Sequence, residues 1–176
     1  NSQYIRAAPR ESLRAMVRDE LQSKNMWDAN APLSPDAMDS AIELLKPRAK
    51  MLGDFSSTFK AFFADDFDYE EGAAEKFLAD PKLRDLIPEL LERYAADDSF
   101  TLQSTENTLR GFAEEQGVKA GLFINALRVG LTGQGVAPGL FEVMQVLGRR
   151  RTLDRMQRLS KYLQITNDEL RMTNDE

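Results

Sequence analysis

A group of closely spaced cations near the C-terminal end is the feature of this sequence best suited to binding chemistry. Six of them fall within thirteen residues: Arg149, Arg150, Arg151, Arg155, Arg158 and Lys161. On a helix, Arg151, Arg155 and Arg158 follow the spacing i, i+4, i+7 and share one face. Such a basic stripe can hold phosphate groups, because each cation that neutralises a phosphate releases counterions. The alternative is a solvated helix face, with cations favoured near a helix C-terminus.

A glycine-containing loop precedes this group. Residues 132–139 read Thr-Gly-Gln-Gly-Val-Ala-Pro-Gly. Glycines let a backbone approach a ligand closely. The loop lacks the Gly-Lys-Ser/Thr ending of a phosphate-binding P-loop, and no predicted strand precedes it. A plain connection between two helices is therefore the alternative.

The residue types that most enzymes use for catalysis are missing. The chain has no cysteine and no histidine, which excludes thiolate nucleophiles, zinc sites built on cysteine and Ser-His-Asp triads. The acidic run of residues 65–72 resembles a calcium loop. Counted from Asp66, however, its glycine falls one place late, and Phe77 stands at the twelfth position, where a bidentate Glu is needed. The remaining carboxylate pairs are adjacent in sequence, so on a helix they point about 100° apart; they are Asp19-Glu20, Asp97-Asp98 and Glu114-Glu115. We therefore expect no catalytic, cofactor-binding or metal-ligating residues, and a binding role is favoured.

The charge is unevenly distributed along the chain. The net charge is −6 over 176 residues, and hydrophobic residues make up 42%. Residues 65–98 carry 12 acidic and 4 basic side chains, whereas residues 101–164 carry 9 basic and 5 acidic ones. An acidic stretch repels phosphates, so we expect it to face away from any polyanion. No segment has the roughly 20 apolar residues of a membrane span.

The hydrophobic spacing predicts helices almost throughout. Ser34 and Pro35 are typical of an N-cap and a first helical position, and Pro47 is expected to kink or restart that helix around Arg48. Residues 25–32 are predicted as a loop. The phenylalanines of residues 55–63 are predicted as core. Residues 65–72 are interpreted as a linker between two subdomains, and residues 165–176 as a polar, frayed tail.

Several segments together resemble the C-terminal anticodon-binding region of bacterial-type glutamyl-tRNA synthetases, which are class I aminoacyl-tRNA synthetases. The segments that carry the resemblance are Ala126-Leu127-Arg128-Val129-Gly130-Leu131-Thr132-Gly133, Ala137-Pro138-Gly139-Leu140-Phe141-Glu142-Val143, Leu147-Gly148-Arg149 and Arg151-Thr152-Leu153. The helix Leu44-Leu45-Lys46-Pro47-Arg48-Ala49-Lys50-Met51-Leu52 and the N-terminal residues 1–6 agree with it. The N-terminal residues lack an initiator Met, so we interpret them as the cut end of a longer chain.

The resemblance implies an all-α fold of two consecutive helical subdomains of the class I synthetase anticodon-binding type. On that basis we expect a first subdomain at 1–66, a second at 67–164 and the tail at 165–176. The whole enzyme would use ATP and Mg²⁺ to attach glutamate to tRNA, through HIGH-like and KMSKS-like signatures that this sequence lacks. This chain would therefore be the non-catalytic part. Its expected partners are the anticodon loop of tRNA(Glu) and the catalytic portion of the same chain, in a cytoplasmic monomer without membrane contact.

The resemblance also implies roles for individual residues. Arg48 aligns with an arginine that reads the third anticodon base, and Arg128 with one that faces the anticodon loop. Pro138 and Leu140 align with residues that pack on splayed-out bases, and Asn125 and Ala137 occupy neighbouring positions. Ala137 has no polar side chain, so any polar contact there is from its backbone. In this interpretation the stripe of Arg151, Arg155 and Arg158 contacts phosphates.

Two other function classes are weighed against this one. An acidic helical protein-interaction scaffold predicts partner binding that ignores Arg128 and depends little on salt. A carboxylate-based hydrolase needs two convergent acids in a pocket, with the pKa of one of them raised. The adjacent placement of the acids disfavours the hydrolase.

Overall fold

The computed structural model describes residues 2–27 and 33–174. Within them the chain forms nine α-helices and one 3₁₀ turn with no strand, which confirms the prediction of an all-α fold. Among the described helices, none combines the length and the apolar content of a membrane-spanning segment. The chain divides into two compact units, Asn1–Phe67 and Asp68–Glu176. Residue 1, most of the loop predicted over 25–32 and the last two residues of the predicted tail lie outside the described residues.

The first unit is built from short helices. They are α1 (Ser2–Ala7), α2 (Arg10–Ser23), α3 (Pro35–Leu45), the 3₁₀ turn (Leu52–Ser56) and α4 (Lys60–Phe63). The predicted cap of α3 is present, because the Ser34 hydroxyl accepts a hydrogen bond from the Ala37 backbone N–H at 3.2 Å. The predicted phenylalanine core is present too. Phe55, Phe59, Phe62 and Phe63 are all at most 8% exposed.

The helix predicted to continue past Pro47 ends earlier. α3 stops at Leu45, and Arg48 lies in a turn rather than on a helix, so the expected helical setting of Arg48 is wrong. Lys46 still has helical φ and ψ of −57° and −33°, but Pro47 has no N–H to donate to the Glu43 carbonyl, so the helical hydrogen bonds end at this point. The Arg48 N–H donates to the Leu45 carbonyl at 2.9 Å, and the Pro47 carbonyl accepts from Arg6 at 2.7 Å.

The second unit contains five helices. They are α5 (Glu71–Phe77), α6 (Lys82–Ala95), α7 (Leu102–Gln116), α8 (Ala120–Thr132) and α9 (Leu140–Asn174). Gly148 interrupts α9 with a φ of 82°. The expectation of a frayed tail from residue 165 is wrong as far as Asn174, because α9 continues to that residue. No proline or glycine follows Gly148 to stop it.

A proline inside α6 determines one contact with α9. Pro88 cannot donate to the carbonyl of Arg84, four residues earlier. The side chain of Gln164 on α9 donates to that carbonyl at 3.4 Å, and it accepts from Arg84 Nε at 3.2 Å. The side chain therefore compensates for the lost backbone bond and joins the two helices.

Candidate nucleic-acid interface

Helix α8 presents the central pair of the predicted site. Its apolar residues, among them Phe123 and Leu127, are fully buried and fix the rotation of the helix. Asn125 and Arg128 lie on the half-buried side, three residues apart. Arg128 Nη1 donates to Asn125 Oδ1 at 3.1 Å. This bond orients the guanidinium, which lowers the entropy that it would lose on binding a ligand.

The loop of residues 133–139 is fixed at its base. The Thr132 hydroxyl donates to the Arg128 carbonyl at 2.6 Å and accepts from the Gln134 N–H at 3.2 Å. Gly133 adopts a left-handed conformation with φ of 75°, which glycine tolerates without strain, and its N–H donates to the Val129 carbonyl. The end of α8 and the start of the loop therefore form one hydrogen-bonded turn.

Helix α5 supports the same loop from a second direction. The Gly133 carbonyl accepts from the Glu70 N–H at 2.7 Å, one residue before α5 begins. A Cβ atom at Gly135 would lie 2.8 Å from the Phe77 ring and 3.3 Å from the Ala73 methyl, so only glycine allows this close approach. The sequence interpretation missed α5 and its role. A seven-residue helix containing Gly72 carries too little periodic signal to separate it from a linker.

The tip of the loop is open, whereas two of the residues predicted to contact bases lie beneath it. Val136 is 82% exposed. Leu140, the first residue of α9, is only 2% exposed, and Pro138 is also buried. Ala137 is half-buried. As placed here, Pro138 and Leu140 contribute to the core under the loop, and the apolar surface that faces solvent belongs to Val136.

A small cleft opens beside Asn125. It has a volume of about 270 Å³ and is lined by Lys76, Phe77, Asp80, Gly121, Leu122 and Asn125. The Lys76 ammonium lies 5.2 Å from the centre of the Phe77 ring. The cleft thus combines a partly exposed aromatic ring, a cation and an amide, which are the groups that can hold an unstacked base.

The predicted phosphate-contacting stripe is not a solvent-facing surface. Arg151 and Arg155 are each only 5% exposed, so two of its three members lie in the interior. Arg155 Nη1 donates to the Leu131 carbonyl at 2.7 Å, within the last turn of α8. The spacing correctly places these residues on one helix face, but spacing alone does not reveal which face packs against a neighbour.

The third member of the stripe, Arg158, is exposed. Its guanidinium carbon lies 5.1 Å from the centre of the Tyr69 ring, within the range of a cation–π interaction. Burial raises the pKa of the Tyr69 hydroxyl to about 12, although Arg158 opposes the shift. The phenol therefore stays neutral near pH 7.

The neighbouring cations of the cluster have local partners. Arg149 donates to the carbonyls of Ala95 and Asp97 at the end of α6, where cations stabilise a helix C-terminus. Arg150 pairs with Asp154 one turn along α9 at 3.3 Å. Two arginines of this run, Arg149 and Arg155, therefore join α9 to neighbouring helices.

Arg48 lies in the first unit with its side chain exposed, in the turn described above. The side chain can therefore reach a ligand, in contrast to Arg151 and Arg155. Among the described residues, no three or more His, Cys, Asp or Glu side chains form a group that could hold a metal ion.

Comparison with known proteins identifies the family. The model of the anticodon binding domain matches residues 12–160, so the chain belongs to the anticodon-binding domain family. A glutamate-tRNA ligase 2 of Koribacter versatilis is 52% identical over 160 residues, which are 90% of this chain and 32% of that protein. The glutamate-tRNA ligase of Thermus thermophilus is 35% identical over 161 residues, again 90% and 32%.

Solved structures agree on the fold. A glutamate tRNA ligase from Elizabethkingia meningosepticum, crystallised with its amino acid, matches 93% of this chain and 31% of its own, with a TM-score of 0.78 and 24% identity. A glutamate-tRNA synthetase from Elizabethkingia anophelis gives a TM-score of 0.71, also at 24% identity, over 91% and 30%. The chain spans about a third of the length of these relatives. The resemblance identified from the sequence motifs is confirmed.

Proposed function

We propose that this chain is the anticodon-binding portion of a glutamate-tRNA ligase and that it binds the anticodon loop of tRNA(Glu). The observation that carries the proposal is the pairing of Arg128 with Asn125, beside an exposed loop tip and a cleft lined by an aromatic ring. Single-stranded RNA is read by such groups, because unpaired bases expose both their hydrogen-bonding edges and their faces.

Each part of this surface has a distinct role in the proposal. The Arg128 guanidinium donates to base or phosphate acceptors, and Asn125 keeps it in position. One unstacked base enters the cleft and lies against Phe77. Val136, rather than the buried Pro138 and Leu140, provides the apolar contact at the loop tip.

Phosphate contact is assigned to Arg158 alone among the three arginines of the stripe. It is exposed, whereas Arg151 and Arg155 are buried and cannot reach a phosphate without leaving the core. Arg48 is proposed to read the third anticodon base, as the resemblance implies, and its exposure in a turn supports this role.

The parent protein is also a proposal. The relatives of which this chain spans about a third are named glutamate-tRNA ligases. The catalytic portion of such an enzyme would bind ATP and Mg²⁺ and attach glutamate to tRNA. We place the whole protein in the cytoplasm, as a monomer.

The test is binding of the 176-residue chain to an anticodon stem-loop of tRNA(Glu), compared with the same stem carrying an unrelated loop. Affinities are measured by fluorescence anisotropy between about 50 and 200 mM salt. We expect the cognate loop to bind at least about tenfold more tightly. Arg128→Gln removes most of this preference.

A matched control separates recognition from general charge. Arg110 is an exposed arginine of α7 that pairs with Glu106 at 2.9 Å. Arg110→Gln changes the net charge by the same amount, and we expect it to leave the preference intact. Equal binding of both loops, or equal losses from the two variants, would contradict the proposal.

A further inference from the structure

A groove in the second unit is lined mainly by residues outside the surface assigned to RNA, and Arg158 is the one lining residue that belongs to both. It has a volume of about 650 Å³ and runs between α5 and the part of α9 that follows Gly148. Its volume is in the range of sites that bind ligands or partner side chains. The residues on its α9 side from 161 onward lie beyond residues 12–160, which the anticodon-binding family model matches.

The floor of the groove is apolar. Ala74 and Leu78 line it from α5, and Leu163 and Leu170 from α9. Leu163 is 2% exposed and Leu78 is 8% exposed, whereas Leu170 is 58% exposed. A partner that covers the exposed Leu170 side chain at the edge of this floor lowers the free energy, because apolar surface is removed from water.

The rim of the groove is acidic. Asp68, Glu71 and Glu75 are exposed along its α5 side, and no ion pair involves them within the described part of the chain. Arg158 is the one cation in the lining, and it lies over the Tyr69 ring. The three carboxylates make the α5 side of the rim negative, so that side attracts cations, whereas Arg158 gives the α9 side one positive charge.

Helix α5 separates this groove from the proposed RNA-binding loop. Ala73 and Phe77 face Gly135 of the loop, whereas Glu71, Ala74 and Leu78 face the groove. The two surfaces therefore use opposite sides of one short helix, and residues can be changed on the groove side without touching those that support the loop.

We infer that this groove docks a basic amphipathic helix of a protein partner. The partner's apolar side chains fill the floor between Leu78 and Leu170, and its Lys or Arg side chains meet Asp68, Glu71 and Glu75. This is the helix-in-groove mode of recognition, with apolar anchors at i, i+3 or i+4, and i+7. The partner helix must be positively charged to complement the acidic rim.

The test uses a synthetic leucine-lysine peptide of about two heptads, with leucines at the anchor spacing and lysines elsewhere. A second peptide with glutamate in place of every lysine is the control ligand. Binding to the 176-residue chain is measured by titration calorimetry. Methyl NMR signals of Leu78, Leu163 and Leu170 report the position of the peptide.

Paired variants keep the charge change constant. In the groove variant, Glu71→Gln is combined with Glu75→Gln. In the matched variant, Glu92→Gln is combined with Glu114→Gln, since both are exposed and neither lines the groove. We expect saturable binding of the lysine peptide, about tenfold weaker with the groove variant and within about twofold of wild type with the matched one.

An apolar variant tests the floor. Leu170→Ser is expected to lower the affinity for the lysine peptide by about fivefold. The chain stays folded, because Leu170 is already largely exposed. No saturable binding, equal losses from both charge pairs, or methyl shifts away from the groove would overturn the inference. A wild-type dimer in sedimentation velocity that Leu170→Ser dissociates would assign the groove to a second copy instead, which also overturns it.

Discussion

Replacing Arg155 tests whether this residue stabilises the interior of the second unit, as its burial indicates, or contacts phosphate, as its spacing in the sequence suggests. Arg155 and Arg158 belong to one basic stripe in the sequence, yet Arg155 is 5% exposed and Arg158 is exposed. We compare Arg155→Met with Arg158→Met. Methionine keeps an apolar stem of similar length in both cases and removes one positive charge.

The structure gives different magnitudes for the two changes. Arg155→Met removes a charged hydrogen bond of 2.7 Å to the Leu131 carbonyl, and such bonds contribute about 1.5–3 kcal/mol. We therefore expect the second unit to lose about 2–3 kcal/mol of its free energy of unfolding. Arg158→Met loses a cation–π contact at the surface, which contributes about 0.5–1 kcal/mol.

The assay has two readouts. Urea unfolding is followed through the α8 amide signals, because the single tryptophan, Trp27, lies in the first unit. Stem-loop affinity is followed against salt, where each lost phosphate contact on single-stranded RNA lowers the slope by about 0.7. We expect this change for Arg158→Met and an unchanged slope for Arg155→Met. A small stability loss with a reduced slope for Arg155→Met would show that Arg155 contacts phosphate and is not a buried structural residue.

Three further predictions concern the loop, acid stability and base discrimination. Gly135→Ala should lower stem-loop affinity, since the new Cβ would lie 2.8 Å from the Phe77 ring. Gly111→Ala should leave the affinity unchanged, because there is open space around that position. Fluorescence anisotropy compares the two variants. Hydrogen bonds from the Ser104 hydroxyl and the Phe100 N–H lower the pKa of Asp97 to about 2, so its stabilisation is complete above about pH 4 and lost as pH falls towards 2. Asp97→Asn should therefore cost on the order of 1–2 kcal/mol at pH 7 and converge with wild type near pH 2 in urea unfolding; a constant gap would contradict this. Arg48→Gln should reduce the preference for the native third anticodon base over G without altering the salt slope, as measured with two stem-loops.

Much of the fold could be predicted from the sequence because its signals are local. Ser34 with Pro35 marks a helix start, and Gly148 marks a helix break. Hydrophobic spacing placed the phenylalanines of residues 55–63 in the core. The end of α3 before Pro47 and the helical continuation of α9 were not predicted. The end of α3 depends on the turn that follows it, and the length of α9 depends on small helix propensities summed over many residues.

The candidate site was harder to predict because burial is a tertiary property. Arg151, Arg155 and Arg158 share a helix face, but only the packing of α9 shows that two of them are interior. The same holds for Leu140, whose exposure depends on how the loop folds over it. Helix α5 was not predicted because its seven residues carry little periodic signal. Its support of Gly135 was not predicted because this long-range contact is encoded by no local pattern.

The most direct test of the anticodon-binding role is an amide and side-chain NMR map of the chain as the cognate stem-loop is titrated. We expect the largest shifts at Asn125, Arg128, Gln134 and Val136, with the Arg158 guanidinium also affected and the Arg151 guanidinium unchanged. Largest shifts at Glu71, Glu75 and Leu78 on the α5 side of the groove, or none around the loop of residues 133–139, would contradict the assignment of this surface to RNA.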